Sequence, residues 1–171
     1  MSARFVINSL DFVNGSGRHC DTIPILELVR LHDWLFDDQG SLIYELSGYV
    51  DKNDKPHLLL KINGTMNLSC QRCLDKLTHT FDLQTILLLV NNEEELDLID
   101  EDDSVDAILS TSELDVIGLI EEEIILSLSI SSRHPEGTCN SNLPRTNKTS
   151  FSEQSKSAHP FAVLANFKKT N

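Results

Sequence analysis

From Leu77 onward the chain alternates. Leu77, His79, Phe81 and Leu83 interleave with Thr78, Thr80, Asp82 and Gln84. A period of two puts the first four side chains on one face of a strand and the other four on the opposite face. This is a half-buried strand, and it demands partners in a sheet. Two strand-like runs precede it, Leu42 to Val50 and His57 to Ser69, with the polar loop Asp51-Lys52-Asn53-Asp54 between them. Consecutive strands on short connections favour antiparallel pairing. Gly64 marks a bulge or bend inside the second run. The stretch Ile86 to Val90 is apolar throughout, so both of its faces are expected to be covered.

The flanks are read in the same way. Residues 3–13 are expected to form a strand, with Phe5 and Ile7 on one side and Val6 and Asn8 on the other, ending at the turn Asn14-Gly15-Ser16-Gly17. A first main helix follows. Thr22 can cap it, Pro24 suits its first turn, and Ile25, Leu28, Val29, His32, Leu35 and Phe36 recur at helical spacing up to Gln39-Gly40. On that face His32 reads as a packed core histidine. Asn91 to Asp103 is acidic and is expected to be a mobile loop, with a short strand at Val105 to Leu109. The second main helix starts at Ser112, with Asp115 as its capping-box partner, and carries Leu114, Ile117, Ile120, Ile124 and Leu128 on one apolar face. Glu121 falls inside that apolar arc. It is either a helix-edge carboxylate whose head reaches water, or a group that is paired or faces a partner; we assign it to a partner-binding surface.

These readings give an α+β fold: an antiparallel sheet of four or more strands, two main helices and an acidic loop, as a single domain over residues 1–139. Residues 140–158 are rich in Ser, Asn, Thr and Lys, show no apolar period and read as a disordered linker. In the last segment, 159–171, Phe161, Leu164 and Phe167 line one side of a short helix. That is the form of a docking peptide, and equally of a terminal helix packed on its own domain.

The charge is localised. Of 27 acids, 15 lie in the 56 residues from Leu77 to Ser132, and no Lys or Arg lies between Lys76 and Arg133. Such a block repels phosphate backbones and attracts basic partners; it also serves as a solvated face that keeps a protein soluble. No run approaches the ~20 apolar residues of a membrane span. The first ten residues show no secretory pattern. Without an export signal the four cysteines suit thiols or metal ligands better than disulfides.

Cys70-Gln71-Arg72-Cys73 sits between two strands. A C-x-x-C in a tight turn can place two thiolates on one tetrahedral ion, and His134 and Cys139 would complete a Cys3His zinc set. Two half-buried thiols in a hairpin remain the simpler alternative. A thioredoxin-type redox pair is weaker, because it opens a helix after a parallel strand, and here a strand follows. A Cys70 thiol of ordinary acidity would remove that version. Arg72 and Lys76 beside the turn offer an alternative role in RNA binding. No phosphate-cradling Gly-rich loop, G-x-S-x-G or H-E-x-x-H is present, so no catalytic residue is assigned.

One ordered set remains: Cys70-Gln71-Arg72-Cys73, Thr78-His79, Leu114-Asp115, the run Glu121 to Leu128, His134 with Cys139, and Pro160-Phe161-Ala162-Val163-Leu164. Taken together it resembles the YceD family, whose members are named large ribosomal RNA subunit accumulation proteins. Family members usually carry prolines after the glutamate-rich helix, where this chain has Ser129 and Ser132. The resemblance implies a cytoplasmic bacterial factor in ribosome biogenesis with no established catalytic activity. Its expected partner is a ribosomal protein or assembly factor of the large subunit, met through the acidic block and the Phe161 to Phe167 peptide. Direct contact with ribosomal RNA is the alternative.

Overall fold

The computed structural model describes residues 5–100 and 106–139. The expected linker 140–158 and the segment 159–171, with Phe161, Leu164 and Phe167, lie outside the described residues. In chain order the elements are β1 (Val6–Ile7), α1 (Ser9–Asn14), β2 (Arg18–Pro24), two 3-10 turns (Ile25–Glu27 and Val29–Trp34), β3 (Ser41–Val50), β4 (Pro56–Ser69) and β5 (Lys76–Val90). Then come α2 (Glu93–Asp100), β6 (Asp106–Leu109), β7 (Leu114–Asp115) and α3 (Val116–Ser127). The class is α+β, as the alternation implies.

Five strands form one sheet in the order β2-β3-β4-β5-β6. The three runs read from sequence are its centre, and their pairing is antiparallel. On one face Leu42, Tyr44 and Leu46 line up with Ile62, Leu60 and Met66 and with Phe81 and Leu87, all buried. From α1, the 3-10 segment and α3 come Val13, Ile25, Leu28, Leu31, Ile120 and Ile124 to complete the same core. Each such side chain is worth ~1.5–3 kcal/mol when fully buried. The apolar end of β5 behaves largely as expected: Leu87 to Val90 are buried, while Ile86 is exposed.

Several expectations are corrected. The N-terminal strand is only Val6–Ile7, because Asn8 accepts a hydrogen bond from the Asp11 N–H and starts α1. The first main helix does not form. Thr22 is strand, and the following residues bury Ile25, Leu28 and Leu31, a spacing of three that matches the 3-10 turn and not the 3.6 of an α-helix. Val29 and His32 therefore point outward, and the His32 ring contacts the Leu26 carbonyl. The acidic stretch is helical over Glu93–Asp100. The Asn92 side chain accepts from the Glu95 N–H (2.8 Å), and three glutamates stand at the positive end of the helix dipole. This helix carries the chain over so that β6 runs parallel to β5, which makes the sheet mixed.

The last helix begins later than Ser112. Asp115 is its N-cap and accepts from the Gly118 N–H, while Leu114 and Asp115 pair with Val6 and Ile7. Glu121 does not reach water: it is 6% exposed and accepts the backbone N–H of Arg30 at 2.9 Å. The expected bulge at Gly64 is also absent, since register runs unbroken from Leu42 through Gly64 to Phe81. What requires glycine is close approach. Its φ is 151°, and a Cβ there would lie 2.7 Å from Leu42 Cδ2 and 2.9 Å from the Ser41 carbonyl. Replacing Gly64 by alanine is expected to cost roughly 1–3 kcal/mol, the scale of a residue held in a glycine-only region. A lowered urea midpoint with an unchanged slope is the check.

Candidate metal centre

The β4–β5 hairpin closes through Cys70 to Asp75. The Cys70 N–H donates to the Asp75 carbonyl and the Leu74 N–H to the Cys70 carbonyl, with Leu74 at φ 58°. A leucine in the left-handed region is strained, so the tip is held in a shape its sequence does not prefer. The chain returns to this tip after α3. Gln71 donates its N–H to Ser132 O (2.9 Å), and the His134 N–H points at Cys70 Sγ (3.4 Å). Next, Pro135-Glu136-Gly137-Thr138 makes a turn with Gly137 at φ 82°, closed by Thr138 N–H to Pro135 O. This is the third position of a type II turn, where positive φ is required. The turn swings Cys139 back beside His134.

All four candidate ligands meet here. One donor atom from each of Cys70, Cys73, His134 and Cys139 lies within 4.8 Å of the others. Cys70 Sγ to Cys139 Sγ is 3.9 Å, Cys73 Sγ to His134 Nδ1 is 3.4 Å, and Cys139 Sγ to His134 Nδ1 is 3.8 Å. Zinc–ligand bonds of about 2.3 Å to sulfur and 2.0–2.1 Å to nitrogen, at tetrahedral angles, give edges of ~3.8 Å and ~3.6 Å. The observed edges fit such a tetrahedron, so these residues could hold a metal ion.

The surroundings favour the same outcome. His134 Nε2 lies 3.0 Å from the Lys76 carbonyl, which can only accept. In the neutral ring that leaves Nδ1 with its lone pair toward the sulfurs, the tautomer a metal needs. Burial pushes the Cys70 thiol up, yet N–H donation from His134, Arg72 and Cys73 outweighs it and brings the thiol down to about 5. Burial, with two thiols beside it, pushes Cys73 up. Hydrogen bonding to Cys139, then to the Lys76 carbonyl, pushes His134 up. As thiolates, three sulfurs this close carry more negative charge than the single Arg72 guanidinium beside them offsets, and a divalent ion would supply the rest. The acidity of Cys70 does not single out redox chemistry. Its residue is fully buried, which suits a bound thiolate and not an attacking one, and no helix begins at the turn.

Arg72 and Lys76 stand at this site, in roles the sequence did not suggest. The Arg72 Nε donates to Cys139 Sγ (2.9 Å), and Nη2 donates to the carbonyls of His134 (2.9 Å) and Pro135 (3.1 Å). Its guanidinium thus ties the returning segment to the hairpin tip. Lys76 contributes its carbonyl to His134, while its ammonium pairs with Asp37 at 3.3 Å. The only sequence signal for Arg72 was its place inside the C-x-x-C. Glu121 lies on α3, bound to the Arg30 backbone and not among the ligands.

The purified chain is expected to bind one zinc ion, and a chelator should lower its melting temperature. Cys73→Ser or His134→Gln should abolish stoichiometric binding. Arg72→Ala should retain the stoichiometry while weakening zinc affinity ~10–100-fold, the usual cost of losing a group that orients a ligand. Competition with a chromophoric chelator measures all three.

Residues 58–168 match the family described as Large ribosomal RNA subunit accumulation protein YceD, a span that contains the whole Cys3His cluster. A protein of Haemophilus influenzae bearing that same name is 30% identical over 144 residues, covering 84% of this chain and 83% of the relative. No solved structure matches. With the match running through most of the chain, and with hairpin tip, helix and returning segment all inside it, the chain belongs to the YceD family.

Proposed function

We propose that this chain is a non-catalytic, cytoplasmic ribosome-biogenesis factor that supports accumulation of large-subunit ribosomal RNA, acting mainly through protein contacts. The observation that carries the reading is the family match over residues 58–168. In this reading the Cys3His cluster holds zinc as a structural ion. Four protein ligands complete a tetrahedron, whereas catalytic zinc keeps a position open for water or substrate. The ion would fasten the segment after α3 to the hairpin tip.

Charge supports protein contact over RNA contact. With 15 acids and no Lys or Arg from Leu77 to Ser132, phosphate is repelled along that stretch. The same field would speed encounter with a basic ribosomal protein or assembly factor. In this reading Phe161, Leu164 and Phe167 would supply a docking peptide. Direct RNA binding would draw on Arg72, whose Nε and Nη2 are already engaged with Cys139 and two carbonyls.

A pulldown from growing cells, with the chain full-length and truncated before His159, tests this reading. Large-subunit proteins or an assembly factor should be recovered and then lost on truncation. Ribosomal RNA that survives truncation but vanishes on nuclease treatment would overturn the protein-contact reading.

A further inference from the structure

Between β6, the end of β5 and α3 lies a groove of about 420 Å³. Its apolar lining is Leu87, Ile108, Leu119 and Leu126, and its carboxylates are Asp106, Glu122 and Glu123. Leu87 and Leu119 are buried beneath it, while Leu126 is 74% exposed. We propose that this groove binds a short lysine- or arginine-bearing segment of a basic protein, with an aliphatic side chain of that segment against Leu126 and Ile108. The proposal rests on the protein-contact reading above and gives it a location.

Three observations select this occupant. First, among the described residues no cation pairs with these carboxylates: the ion pairs there are Arg18 with Glu45 and Lys76 with Asp37, neither of them at the groove. The local sequence offers no cation, since none occurs between Lys76 and Arg133. Second, one carboxylate is already set in place. Thr85 donates its hydroxyl to Glu123 Oε2 at 2.7 Å, so little side-chain freedom is lost when a cation arrives. Third, the lining is mixed. A phosphate backbone is repelled by the three acids, and a purely apolar segment would leave them desolvated and unpaired. Aliphatic contact with cationic heads at the edge satisfies both halves, because Lys and Arg carry long apolar stems beneath their charges. The volume lies in the ~300–1,000 Å³ range of ligand pockets, which suits a few side chains of a segment.

The test uses the full-length chain with zinc bound and a fluorescein-labelled peptide alternating lysine and leucine. A lysine–serine peptide of equal length and a single-stranded RNA oligonucleotide are the controls. Anisotropy at moderate salt should show the lysine–leucine peptide binding in preference to both. Amide shifts should cluster at Ala107, Ile108, Glu122 and Leu126. Glu122→Lys and Leu126→Gln, both at exposed positions, should each weaken binding roughly tenfold, the scale of a central interface contact. Asp82→Lys, exposed on the opposite face of the sheet, should change it less than about twofold, as a site outside the contact. Equal loss with Asp82→Lys, equal binding of the lysine–serine peptide, or RNA shifting the same amides would overturn the proposal.

A second arm separates the groove from the reading it rests on. If the wild-type chain captures large-subunit proteins and the Glu122→Lys/Leu126→Gln chain captures them equally, the groove is wrong and the protein-contact reading stands. Their selective loss supports the groove. Capture of none by the wild type removes both.

Discussion

An unbroken antiparallel register joins β4 to β5, from His57 opposite Leu88 to Ser69 opposite Lys76. Because side chains alternate along each strand, a slip of one residue would turn Leu58, Leu60, Ile62, Met66 and Leu68 out of the core together. That cost locks the pairing, and both ends of the hairpin inherit the precision. At one end the strands hand over to the tip that carries Cys70 and Cys73. At the other, Leu87 to Val90 take β6 alongside and place its edge near α3.

The tip cannot make a metal centre alone. Two cysteines in a turn supply half of a tetrahedron, and the rest comes from a segment more than sixty residues later. Several modest bonds aim that segment. The Gln71 N–H holds Ser132, Arg72 grips the carbonyls of His134 and Pro135, and the Gly137 turn returns Cys139. A bound ion would add to these by linking groups that are distant in sequence, where the loop entropy removed from the unfolded chain is largest. The arrangement makes Arg72 a structural cation. Its charge faces sulfur and carbonyl oxygen, which offsets the negative charge that three thiolates would bring.

Charge and architecture are coupled at the groove. The stretch without Lys or Arg runs through β5, α2, β6, β7 and α3, and the fold brings Asp106 of β6 together with Glu122 and Glu123 of α3. Glu121 is withdrawn from that surface by the Arg30 N–H, and Glu123 is held by Thr85. Glu122 stays exposed beside Leu126. Three consecutive glutamates therefore have three different roles: a buried bond to the 3-10 segment, an oriented carboxylate, and an exposed one.

The sequence by itself determined the central strands, because a period of two is written in consecutive residues such as Leu77 to Gln84 and needs no distant information. It also named the Cys3His set, since ligand types and the C-x-x-C spacing are local facts. It misread residues 25–36, where periods of three and 3.6 share Ile25 and Leu28, and only packing on the sheet and α3 shows that Leu31, not Val29, goes inward. It misread α2, because composition says acidic while the Asn92 cap and the crossover to β6 decide helix. Only the tertiary structure could place His134 Nδ1 3.4 Å from Cys73 Sγ, turn Arg72 from a surface cation into a clamp, and bury Glu121 against a backbone amide. Each of these joins residues more than sixty positions apart, and long-range pairing leaves no local periodicity to read.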